Sequence, residues 1–322
     1  MFRVELPTVT LFMLMVVVAA LPCQGQTEFH RIDAQSPHDL RSLFEFDGER
    51  MPLLSAHRGG SVPSYPENCI ETFEHSLRHA FCLLEIDLRY TKDGQIVLHH
   101  DATLDRTTTG TGPIADRTLK ELKQLYLKDN SGTVTEYRIP TLDEALQWAR
   151  GKTIVILDKK VVPVEICVQK IQEQRAQAYA MVMAYGVDDI RACHHLDPDI
   201  MMEVMIGNHQ RYREFEESGV MWNRIVAFIG HTPPDDHTLV EKIHAKGVCC
   251  MAGTSRNLDR RAIHVQAKDR DALASEYLER LNFGVDLIET DLPIQVSSLL
   301  YQPIQIPANK TRFFFPPKIT SK

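Results

Sequence analysis

Residues 82–101 read CLLEIDLRYTKDGQIVLHHD. The first seven alternate around an apolar stretch, the pattern of a strand, and the period of two sets Glu85 and Asp87 on one face. Two carboxylates on one face of an otherwise apolar strand are costly to bury unpaired, and a hard cation with oxygen ligands relieves that cost. Thr91-Lys92-Asp93-Gly94 is a turn signal, so residues 85–100 read as a β-hairpin. Pairing about a centre near 92.5 makes partner numbers sum to 185. That register sets His100 opposite Glu85 and Leu98 opposite Asp87, returning a histidine to the acids; a slip of one residue would substitute His99.

Outward from this stretch, seven more β-rich runs recur with helical patterns between them, at 53–57, 153–158, 178–184, 200–205, 224–229, 248–252 and 286–290. Thr141 to Arg150 carries Leu142, Ala145, Leu146 and Ala149 at helical spacing behind a Thr cap. Eight strands joined by helical crossovers predict an α/β fold, a (β/α)8 TIM barrel with a β-hairpin insertion after strand 2, whose chemistry lies at the C-terminal strand ends. The expected organisation is a signal peptide over 1–25, an N-terminal extension over 26–50, a catalytic barrel over 51–300 and a C-terminal tail over 301–322, a strap or a frayed end. Two excursions, 91–140 and 253–283, break the alternation, and loops on that face select substrates. The second carries Arg256, Arg260, Arg261 and Arg270.

The 322 residues, 43% hydrophobic and 25% charged, suit one large enzyme domain. With 36 basic and 43 acidic residues, a net −7 and no long basic run, no nucleic-acid partner is expected. Arg3, the apolar run from Val9 to Leu21 and small residues near Gly25 have the layout of a secretory leader, so export to a periplasm or the exterior is expected. The 13-position run falls short of the roughly 20 residues that span a bilayer, so no stable membrane span is expected. Pro22 makes lipidation at Cys23 the lesser alternative. The other six cysteines show no zinc spacing, and most of them read as buried free thiols.

Strand 1 ends in Ala56-His57-Arg58-Gly59-Gly60 and strand 3 in Asp158-Lys159-Lys160. On a barrel rim these add a histidine, a fork-shaped donor for phosphate oxygens, a third carboxylate and an ammonium. The chemistry indicated is metal-assisted phosphoryl transfer with histidine acid/base help. Glu203 and Glu289 lie within strands and either face the mouth or pair with an arginine. His194-His195 diverge and read as solvated, Trp222 as packing, Cys249-Cys250 as core and Lys159 as a surface lysine.

The ordered set His57-Arg58-Gly59, Pro66-Glu67-Asn68, Glu85-x-Asp87, Thr91-Lys92-Asp93-Gly94 and His100-Asp101-x-Thr103-Leu104-Asp105-Arg106-Thr107-Thr108 resembles the N-terminal signature of glycerophosphodiester phosphodiesterases. Ile288-Glu289-Thr290-Asp291-Leu292-Pro293 resembles the family's last strand. The resemblance implies hydrolysis of a small-molecule glycerophosphodiester to glycerol 3-phosphate and an alcohol. It implies His57 and His100 as general acid and base in either order, Arg58 and Lys160 as phosphate contacts, and Glu85, Asp87 and Asp158 as ligands of Ca2+ or Mg2+. Glu67 matches an acidic position near metal or substrate. The family's third strand has Glu-x-Lys where this chain has Asp158-Lys159-Lys160, which bears on metal preference. Attack by water or by the glycerol hydroxyl through a cyclic phosphate, the alcohol and the oligomeric state all stay open. Two other readings compete: a phospholipase- or sphingomyelinase D-like lipid phosphodiesterase, disfavoured by the mostly polar 91–140 excursion, and a non-catalytic binding protein that retains the fold.

Overall fold

The computed structural model describes residues 28–49, 51–234, 236–262, 270–300 and 305–318; the expected leader and Cys23 lie outside the described residues. Eight parallel strands form a closed barrel: β1 (Leu53–Ala56), β2 (Cys82–Tyr90), β3 (Val155–Asp158), β4 (Ala180–Ala184), β5 (Met201–Met205), β6 (Ile225–Gly230), β7 (Cys250–Gly253) and β8 (Leu287–Thr290). Closure is made by β1, which pairs with β2 through Leu54↔Cys82 and with β8 through Leu53↔Leu287. All eight expected strands are present. Helices follow the strands, and the one after the β2 excursion, Leu142–Ala149, starts in a capping box between Thr141 and Glu144. Among the described residues, no helix is long and apolar enough to cross a membrane.

The side-chain period of two sorts each strand into an outer and an inner face. Leu84, Ile86 and Leu88 of β2 join the layer between barrel and helices. Leu83 joins a second cluster to which every strand contributes, including Leu53, Ile156, Met181, Met201 and Leu287. That cluster is the barrel interior at the N-terminal strand ends. Helix Pro37–Phe44 closes it with Leu40, Leu43 and Phe44, capped at Ser36, whose hydroxyl accepts from the Asp39 amide at 3.1 Å. The described part of the tail, 305–318, is a strap: Phe314–Phe315 pairs antiparallel with Arg31–Ile32, and the buried Lys310 ammonium donates to the carbonyls of Ser42 and Glu45.

The excursion after β2 opens with the expected hairpin, but its register is 88↔98, 89↔97 and 90↔96, which sums to 186 and corrects the sequence reading by one. The reason is a three-residue loop. Thr91 N–H donates to Gln95 O, and Gly94 takes φ +75°, so the turn centres on Asp93. His99 therefore lies across from Asp87, to whose carbonyl its amide donates at 2.9 Å, and His100 is not opposite Glu85. The excursion builds a small core of its own with Val97, Leu104, Ile114, Leu122 and Ile139. Cys69, Cys82, Cys167, Cys193, Cys249 and Cys250 are buried free thiols, as expected.

Candidate active site

The chain leaves β1 through a turn that crowds the backbone. Arg58, Gly59 and Gly60 all have positive φ, at 54°, 88° and 79°. A Cβ on Gly59 would lie 2.4 Å from the Phe73 ring, and one on Gly60 would lie 2.3 Å from Pro293, so both glycines are needed for the helices after β1 and β8 to close in. The Arg58 amide donates to Glu85 Oε2 at 2.9 Å, which pins this turn to β2. His57 and the Arg58 guanidinium are thereby delivered to the mouth.

Two histidines face the same cavity, each with a carboxylate on Nδ1. His57 Nδ1 lies 2.6 Å from Asp291 Oδ1, across 234 positions of sequence, and His100 Nδ1 lies 2.7 Å from Asp101 Oδ1. A carboxylate at Nδ1 fixes the ring and leaves Nε2 for chemistry. Burial opposes the charged form of His57, yet the Asp291 hydrogen bond and the charges of Glu289 and Asp291 outweigh it and raise its pKa. Asp291 is held in turn by Asp259 from the excursion after β7. Buried Asp259 accepts from the Asp291 amide at 2.7 Å, Thr290 Oγ1 at 3.0 Å and the Tyr277 hydroxyl at 2.6 Å. On the other dyad, Arg106 clamps Asp101 and Glu67 together, with Nη2 at 2.7 Å from Glu67 Oε1 and Nε at 2.7 Å from Asp101 Oδ2. The Arg106 hydrogen bonds hold the pKa of Asp101 well below the carboxylate range. His99 is buried on the far side, bonded to Thr107 Oγ1 at 2.9 Å.

Between the dyads, Glu85, Asp87 and Asp158 bring oxygens within 4.8 Å of one another. Lys160, at φ +47°, places Nζ 2.9 Å from Asp87 Oδ1 and against Asp158, which also accepts from the Tyr185 hydroxyl. Arg58 Nε stands 3.6 Å from Asp87 Oδ2. Asn68 brackets Asp87, donating to its Oδ2 at 2.6 Å and accepting from its amide at 3.0 Å. Burial, then the charges of Asp87, Glu289 and Asp158, push the Glu85 carboxyl well above its ordinary range. Deeper in, both oxygens of fully buried Glu203 lack a hydrogen-bond partner among the described residues. This all-oxygen set has more buried carboxylate than Arg58 and Lys160 neutralise, so it fits a hard divalent cation rather than a thiolate metal.

These groups line one cavity of about 500 Å³ that holds nine of the ten sequence candidates: His57, Arg58, Glu67, Glu85, His100, Asp158, Lys160, Glu203 and Glu289. Asp87, the tenth, joins it through the acid cluster. Sequence reasoning did not assign Asn68, Asp101, Arg106, Tyr185, His231, Asp259 or Asp291. Asn68, Asp101, Arg106 and Asp291 lay inside quoted motifs, which was a signal. His231 had none; burial, then Arg256 and His57, push its pKa down to about 4, so it is uncharged.

Carboxylate-backed histidines over an oxygen-ligand cluster, on a (β/α)8 barrel, define a hydrolase built for phosphate esters. The chain matches the sequence profile of the glycerophosphoryl diester phosphodiesterase family over residues 57–294. A glycerophosphoryl diester phosphodiesterase from Parabacteroides distasonis is 37% identical, superposes with a TM-score of 0.85, and is matched over 89% of this chain and 99% of that one. A Caldanaerobacter subterraneus glycerophosphodiester phosphodiesterase is 39% identical over 105 residues, 32% of this chain and 43% of that protein. An Oleispira antarctica phosphodiesterase, solved in complex with the product sn-glycerol-3-phosphate, shares the fold at 23% identity and a TM-score of 0.58, over 78% of this chain and 97% of its own. This chain belongs to the glycerophosphoryl diester phosphodiesterase family and is an enzyme of that class.

Proposed function

We propose that this protein hydrolyses soluble glycerophosphodiesters to glycerol 3-phosphate and an alcohol, with a divalent cation, Ca2+ or Mg2+, held by Glu85, Asp87 and Asp158. The observation that carries this reading is the pair of dyads, His57–Asp291 and His100–Asp101, facing one cavity across the acid cluster. The cation, when bound, supplies positive charge opposite the phosphate oxygens. Arg58 and Lys160 hold the diester, and Glu67 with Arg106 keeps Arg58 and Asp101 in place. His100 Nε2 takes the proton from the nucleophile, which is water itself or a glycerol hydroxyl that closes a cyclic phosphate for water to open in a second step. His57 Nε2, whose charged form Asp291 favours, gives a proton to the departing alkoxide. Export from the cytoplasm, supported by the leader-like residues 1–25, is part of the same proposal.

The test is glycerol 3-phosphate release from a panel of glycerophosphodiesters in EDTA, then with Ca2+ or Mg2+ restored. Release should need metal, and each histidine-to-alanine variant should fall by about 10²–10⁴-fold while staying folded. A p-nitrophenyl ester, whose leaving group needs no acid, should restore much of the His57→Ala rate and none of the His100→Ala rate. Full rates in both variants would sink the dyad roles.

One observation favours a second reading, the lipid phosphodiesterase. An apolar cavity of about 690 Å³, lined by Val62, Pro63, Leu273, Leu292 and Leu299, adjoins the catalytic one at Ser61 and Asn130. A lysophospholipid in the same panel separates the two, because turnover of the lipid alone would select the second.

A further inference from the structure

The catalytic cavity has two cationic walls, and among the described residues one of them has no bonded partner. Arg58, Lys160 and Arg106 stand at the β1–β3 side and are engaged with Glu67, Asp87, Asp101 and Asp158. Arg256 and Arg260 line the same cavity from the segment that follows β7, and both are exposed. Among the described residues neither makes a hydrogen bond or an ion pair, whereas their neighbour Arg261 is paired with Glu276. Two acids of the neighbouring segments are already occupied: Asp259 accepts from Tyr277, Thr290 and the Asp291 amide, and Asp291 holds His57. His231 lines the same wall, and the other carboxylates of the cavity, Glu203 and Glu289, are buried beneath the mouth, whereas the two arginines are exposed at it.

The barrel fixes the direction of this wall relative to the phosphate. The acid cluster sits on β2 and β3, and in a closed ring of eight strands β6 and β7 are diametrically opposite. Phe228, His231, Ser255 and the two arginines are the β6–β7 wall. A diester whose phosphorus is held at the β2–β3 rim therefore extends one substituent across the mouth toward Arg256 and Arg260. Glycerol carries no charge, so an anion meeting them belongs to the alcohol. Two guanidiniums that pair with none of the described residues also attract an anion over distance, although the chain as a whole is at −7.

From these observations we propose that Arg256 and Arg260 form a leaving-alcohol subsite selecting glycerophosphodiesters whose alcohol bears a second anionic group, a phosphate or a carboxylate. The inference rests on the glycerophosphodiesterase reading and refines its substrate class. An alcohol ending in a quaternary ammonium meets repulsion at this wall.

The experiment measures kcat and KM on four diesters: glycerophosphocholine, glycerophosphoglycerol, glycerophosphoglycerol 3-phosphate and glycerophosphoglycerate. The protein should favour the last two over glycerophosphoglycerol by about tenfold in kcat/KM, mainly through KM, with glycerophosphocholine poorest. Preference for the phosphate arm or the carboxylate arm identifies the anion. In Arg256→Gln/Arg260→Gln the ratio of anionic to uncharged substrate should fall to near one, and high salt should have the same effect on the native protein. A double variant that keeps the native ratio, or a native protein that turns over all four alike, overturns the subsite and leaves the parent activity standing. No hydrolysis of any of the four overturns both.

Discussion

The two halves of the barrel interior are built from the same strands and the same faces, yet they differ completely in chemistry. On β2 the inward side chains run Leu83, Glu85, Asp87; on β5 they run Met201, Glu203; on β8 they run Leu287, Glu289. All seven are at most 4% exposed. The lower layer is packed under helix Pro37–Phe44 and the C-terminal strap and contributes stability. The upper layer gathers carboxylates whose ionised forms burial disfavours, a cost that the proposed cation would offset. One turn of pleat therefore separates a packed floor from a reactive mouth.

Breaking the floor should have the largest effect. Leu83→Ala removes a fully buried side chain from the interior cluster and should cost about 2–5 kcal/mol in denaturant unfolding, with the specific activity of the folded fraction retained. A comparable loss of activity per folded molecule would mean that floor and mouth are not separable. Glu203→Gln probes the opposite half. Burial, then Glu289 and Asp158, raise the Glu203 pKa well above 4.5, so its stabilising contribution is present at acid pH and is lost as pH climbs through the raised value. In EDTA the native protein should therefore weaken from about pH 5 upward. The glutamine variant should flatten that slope and gain about 1–3 kcal/mol at neutral pH, read as a rise in Tm. An unchanged pH slope would show that Glu203 does not carry this cost.

The smallest effect is expected behind the mouth. Asp259→Asn keeps the shape but weakens the acceptor that holds the Asp291 amide, Thr290 and Tyr277. It should lower kcat about tenfold with KM little changed, because it disturbs only the alignment of His57. The p-nitrophenyl ester should lose less than the choline ester, which a merely destabilised fold would not produce.

The eight strands were legible because a buried parallel strand is an apolar run of fixed length, and His57, Arg58, Glu85, Asp87, Asp158 and Lys160 were legible as polar residues at strand ends. The hairpin was legible as a hairpin but not in its register, since Thr-Lys-Asp-Gly suits a loop of two residues as well as the observed loop of three that Gly94 closes at positive φ. His100 reaches the cavity for a different reason than the predicted pairing. The ladder stops at Leu98, and Asp101 orients the ring.

By itself, then, the sequence determined what is local: strand and helix periods, capping, and the residue types clustered in short motifs, all of which depend on neighbours within a few positions. Only the tertiary structure decided that Asp291 backs His57, that Asp259 backs Asp291, that Glu203 is buried with no partner among the described residues, and that Arg256 and Arg260 face the acid cluster across the mouth. Those contacts join segments tens to hundreds of residues apart. Barrel closure sets them, and no spacing along the chain encodes them.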